Sequence, residues 1–93
     1  MSLKSRCKEL CRLIDGAIRE ADEASAKYQT IGRLLRRALT QLAPIAGGRE
    51  MKPETMSRRY EKGVKYLRVA MLYLREVSTE NLRELEKVLL NQP

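Results

Sequence analysis

ASAKYQT, residues 24–30, decides between two folds. Upstream of it, apolar or small residues recur at Leu3, Cys7, Leu10, Ile14, Ala17, Ala21 and Ala24. Downstream they continue through Tyr28, Ile31, Leu35, Ala38 and Leu42. The steps alternate four and three without a slip, and no proline intervenes before Pro44. Taken literally, that is one amphipathic helix of about 40 residues and about 60 Å. Folded back on the rest of the chain, it gives a long two-helix hairpin with too little core to stand alone, which dimerises. The same heptapeptide, however, holds a candidate N-cap in Ser25 and three small side chains, enough for a tight helix–helix turn.

A turn near Ser25 makes the chain an all-α protein: a small antiparallel bundle of three helices plus a short C-terminal helix. The expected helices run over about 3–24, 27–43, 53–77 and 79–91. Residues 44–52, PIAGGREMK, form the one clear loop. Pro44 lacks the donor that continues a helix, and Gly47-Gly48 supply free torsions. Pro53 suits the first position of the third helix, with Glu54 favouring the positive end of its dipole. Ser78, Thr79 and Glu80 read as a cap followed by an acidic first turn, and Leu82, Leu85, Val88 and Leu89 fall on one side of the last helix.

The third helix has more apolar surface than one neighbour needs. In YEKGVKYLRVAMLYLREV, residues 60–77, Val64, Leu67, Met71 and Leu74 form a core stripe. Tyr66, Val69, Ala70 and Tyr73 add a second face beside it. Such a helix either sits centrally between two others or leaves one face for a partner. Packed antiparallel, the third helix is expected to contact both preceding helices. A fourth helix over 79–91 is the alternative cover for its second face.

With 93 residues the chain forms one small domain. It contains no His, Trp or Phe, so the usual general base and the commonest metal ligand are missing. Cys7 and Cys11 lie four apart on an apolar face and read as buried, inert thiols. Gly47-Gly48 lacks the lysine and hydroxyl of a phosphate loop. The expectation is a non-enzymatic protein with no cofactor and no metal. No apolar run is long enough to span a bilayer, and a cytoplasmic or nuclear location is the expectation.

Formal net charge is +7, and it is unevenly spread. Residues 27–75 hold twelve basic side chains against three acidic ones, whereas residues 1–26 are balanced and residues 76–93 carry net −2. An acidic partner docking on the middle of the chain follows from that.

Two stretches carry a family resemblance. AKYQTIGRLLRRALTQL, residues 26–42, resembles the second helix of MIT (microtubule interacting and trafficking) domains through Tyr28, Leu34, Leu35, Ala38 and Leu39. KGVKYLRVAMLYL, residues 62–74, resembles their third helix through Val64, Tyr66, Leu67 and Ala70, and Ala17, Ala21 and Asp22 match the first. The likeness spans about residues 5–77. It implies a helical module that binds a partner's amphipathic segment in a groove. Two departures stand out: Ile31-Gly32 replaces the family's Ala and larger apolar residue, and Arg68 and Met71 stand where members that grip basic tails place acids.

Together these readings predict a protein-interaction module, MIT-like, that binds an acidic amphipathic helix between the second and third helices. Its expected contact residues are Leu34, Arg37, Leu67, Arg68, Met71 and Tyr73, with Arg33 and Lys65 at the rim. The alternative is a basic helical protein that binds RNA or DNA, as a monomer or a homodimer. Its surface would comprise Arg33, Arg36 and Arg37 on one helix and Arg58, Arg59, Lys62 and Lys65 on another, joined through Arg49 and Lys52. An acidic membrane surface is a weaker third partner.

Overall fold

The computed structural model describes residues 2–24, 29–73 and 79–91. Four helices make up its regular structure: α1 (Leu3–Ala24), α2 (Gln29–Ala46), α3 (Pro53–Met71) and α4 (Glu80–Leu90). No strand occurs among the described residues. The small-bundle expectation therefore holds, and α1 and α2 are separate helices. The expected cap at Ser25 lies outside the described residues.

Each helix follows from its apolar stripe. α1 buries Cys7, Leu10, Leu13, Ile14 and Ala17, and α2 buries Ile31, Leu35, Ala38, Leu42 and Ile45. α3 adds Val64, Leu67 and Ala70, and α4 adds Leu82, Leu85 and Leu89. These side chains form one continuous core. Each fully buried leucine or isoleucine contributes about 2–3 kcal/mol through the apolar surface it removes from water.

The helices occupy four corners. α2 packs extensively along α1 and along α3, α4 packs on α1, and α3 touches α4 only lightly. The third helix makes no extended contact with the first, so the expectation that it would contact both preceding helices is corrected. α2, not α3, packs extensively along two neighbours. Gly48 lies against the Lys4 side chain, which puts the end of α2 beside the start of α1. Asn81 lies over Gly16 and hydrogen-bonds Glu20, which puts the start of α4 beside the later turns of α1. Both neighbours of α1 thus run antiparallel to it.

Pro44 does not end α2. The helix continues to Ala46, because Ile45 is drawn into the core with only 2% of its surface exposed. Proline so near a C-terminus deprives only the Thr40 carbonyl of its donor. The last carbonyls are met by the following loop, where Gly47 N–H donates to Ala43 O at 2.9 Å and Arg49 N–H to Pro44 O at 3.0 Å. Gly48 has φ 74°, a left-handed torsion that glycine adopts without a Cβ penalty. α3 begins as expected, with Lys52 at the N-cap and Pro53 in the first turn. It ends at Met71, and the expected continuation over 74–77 lies outside the described residues. At α4, Thr79 is the cap, its hydroxyl accepting from Leu82 N–H at 3.3 Å.

Candidate interaction surface

Two α3 flanks of different character arise from its two neighbours. Gly63 is buried, and a Cβ there would lie 2.7 Å from the Leu42 side chain, so α2 approaches α3 closely at that point. Residues at helical spacing from Gly63 (Arg59, Tyr66, Ala70 and Tyr73) share this α2-facing flank. Ala70 is fully buried, and Tyr66 and Tyr73 are half-buried against the core. This accounts for most of the second apolar face: α2 covers it.

The opposite flank meets α4 only lightly, and a groove of about 400 Å³ opens between them. Arg68 and Met71 line its α3 bank, and Glu86, Leu89 and Leu90 its α4 bank. Leu90 remains 76% exposed, and Leu72, one residue beyond Met71, is 78% exposed. α4 covers α1 far more than α3, so it only partly covers the third helix.

The expected partner-binding residues are therefore divided. Leu67 is fully buried in the core and offers no contact surface, which removes it from the set. Arg68 and Met71 belong to the α3–α4 groove. Leu34 and Tyr73 are half-buried and packed against the core elsewhere, while Arg33, Arg37 and Lys65 are exposed. Glu86, Leu89 and Leu90 are the groove residues that the expected set lacked. The signal for the exposed leucine is the adjacent pair Leu89-Leu90: neighbouring positions on a helix diverge by about 100°, so one member turns outward when the other turns in.

The basic surplus falls in one layer. α2 carries Arg33, Arg36 and Arg37 and no acidic residue. α3 carries Arg58, Arg59, Lys62, Lys65 and Arg68 against Glu54 and Glu61. α1 and α4 together hold seven basic and eight acidic residues. The ion pairs Arg12–Glu9 at 2.7 Å and Lys87–Glu84 at 3.2 Å also lie on α1 and α4. Of the expected basic set, Arg33, Arg36, Arg37, Arg58, Lys62 and Lys65 are exposed on α2 and α3, and Arg59 is half-buried. Arg49 and Lys52 are exposed in the loop at the end of the bundle, beside a shallow depression with Met51 and Met56.

The chain matches no family model, no curated protein and no solved structure. Among the described residues no three His, Cys, Asp or Glu side chains gather to hold a metal. No helix among them is long and apolar enough to cross a membrane. Burial pushes the thiols of Cys7 and Cys11 up to about 11, with the neighbouring Cys11 adding to the effect on Cys7 and Asp15 to that on Cys11. Both are protonated at neutral pH and poorly nucleophilic.

Proposed function

We propose that this protein is a non-enzymatic helical interaction module whose α3–α4 groove receives an acidic amphipathic helix. One observation carries the reading: an apolar groove with Met71 on its α3 bank and the highly exposed Leu90 on its α4 bank opens beside the basic layer. Met71 and Leu89 supply its apolar lining, and methionine adapts its shape to varied side chains. Arg68 on the α3 bank, with Lys65 one turn earlier, would select an acidic flank on the partner, while Glu86 on the α4 bank would select a basic side chain on its other flank. The partner's orientation in the groove follows from that asymmetry. Two or three apolar side chains at helical spacing would be the anchors, with the charges governing encounter.

A designed helical peptide with leucines at i, i+3 and i+7 and glutamates along one flank provides the test, with binding followed by calorimetry. Leu90→Asp and Arg68→Glu should each lower affinity at least fivefold while the helical circular dichroism spectrum is unchanged. Arg37→Glu, away from the groove, should leave affinity within about twofold. Equal losses from Arg37→Glu and Arg68→Glu would mean attraction by net charge alone, and the groove reading would fail.

A further inference from the structure

We infer that the exposed face of the α2–α3 layer binds the phosphate backbone of a nucleic acid. Arg33 and Arg37 run along the solvent side of α2, and Arg58 and Lys62 along that of α3, with half-buried Arg59 beside them. The two helices are packed side by side, so these five cations lie on one layer about two helix diameters wide, roughly 20 Å. Among the described residues none of the five has a carboxylate partner, in contrast to Arg12 and Lys87 across the molecule. α2 has no acidic residue to offset them.

The character of the face selects the ligand class. Protein interfaces hold together through apolar or aromatic anchors that become desolvated at their centre. Membrane-surface helices need large apolar side chains to insert. Here the outward apolar contribution is Val69, 38% exposed, a single exposed leucine at the end of α3, Leu72, and the rims of half-buried Tyr66 and Tyr73, too scattered to form a desolvated centre. A phosphate backbone requires none of these: arginine presents a planar fork of donors to phosphate oxygens, and release of condensed counterions drives binding. The two tyrosines, half-exposed on the flank of α3 that faces α2, suit contacts with sugars or unstacked bases. Phosphate contacts carry no base information, so binding through this face should be largely independent of base sequence.

This site is separate from the α3–α4 groove, and its test is separate too. Fluorescein-labelled 20-nucleotide RNA and a 20-base-pair DNA duplex, both of mixed sequence, would be titrated with the intact protein at 50–200 mM salt. Five phosphate contacts predict a slope of log K against log salt of roughly −3.5 for the single strand and −4.5 for the duplex. Arg37→Glu combined with Lys62→Glu should weaken binding at least tenfold. Arg12→Glu combined with Lys87→Glu makes the same change in net charge on the α1–α4 side and should change it less than twofold. Leu90→Asp should have no effect on oligonucleotide binding, whatever it does in the groove. Absence of binding at 50 mM salt would overturn the inference, as would equal losses from the two charge-reversed pairs. Tighter binding to phosphatidylserine vesicles or to polyglutamate than to either oligonucleotide would also overturn it, by assigning the face to a membrane or an acidic protein.

Discussion

At the scale of single residues, Gly63 shows how a position that weakens its helix can hold two helices together. Alanine there would improve helix propensity by about 1 kcal/mol. Its Cβ, however, would sit 2.7 Å from Leu42, which is fully buried and has no room to retreat. Overpacking of that kind costs about 1–3 kcal/mol. Gly63→Ala should therefore lower the melting temperature, measured by circular dichroism, despite the better helix former. Leu67 makes the complementary point. It is one position from Arg68, yet 100° of helical rotation puts Leu67 in the core and Arg68 on the groove. Leu67→Ala should cost about 2–5 kcal/mol of stability in a denaturant titration. The thiols offer a pH test. Both have folded-state values raised to about 11 from an ordinary value of 9.0. The folded protein thus keeps protons that the unfolded chain releases, and this contribution to stability is intact below about pH 9 and lost as pH rises through about 11. Replacing both cysteines with alanine should flatten the fall in denaturation midpoint over that range.

At the scale of elements, the sequence disclosed helices more readily than their neighbours. The apolar periodicity of α1, the Pro53 start of α3 and the Thr79 cap of α4 all correspond to physical signals local in the chain. The end of α2 did not, because the burial of Ile45 outweighs the local cost of Pro44, and burial depends on partners distant in sequence. The width of the α3 apolar arc likewise announces two neighbours without saying which two. That is why Leu34, Arg37, Arg68 and Met71 were grouped by sequence although the structure separates them between different flanks. α4 shows one more device hidden from local reading. Glu20, on α1, accepts from Asn81 N–H at 3.2 Å and from Asn81 Nδ2 at 2.6 Å. A carboxylate from one helix thereby caps the first turn of another and favours its dipole. Glu20→Ala should cost about 1–2 kcal/mol. The loss should appear chiefly as faster amide hydrogen exchange in residues 82–90, with α2 and α3 little changed.

At the scale of the whole molecule, charge is partitioned between two layers: α2 with α3 is strongly basic, and α1 with α4 is close to neutral. The basic middle of the chain was visible in the sequence. Its gathering on one side depends on α2 and α3 being adjacent corners, a fact about packing order alone. Like charges crowded on one layer also repel one another across it. Raising salt from 20 to 300 mM should therefore raise the denaturation midpoint of the wild-type protein. Arg37→Glu combined with Lys62→Glu, which removes part of the repulsion, should reduce that salt response.

The Glu20–Asn81 contact also orders events in time. α1 with α2 and α2 with α3 are hairpins, closed by contacts between segments adjacent in the chain. The α1–α4 contact joins residues 61 positions apart, and closing so long a loop is entropically costlier and slower. On that ground α4 is expected to dock last, onto a platform of α1, α2 and α3. Mutations at this contact should leave the refolding rate almost untouched and quicken unfolding, giving a φ-value near zero in stopped-flow measurements. A φ-value near one at Glu20 would reverse the sequence and make the last helix part of the nucleus.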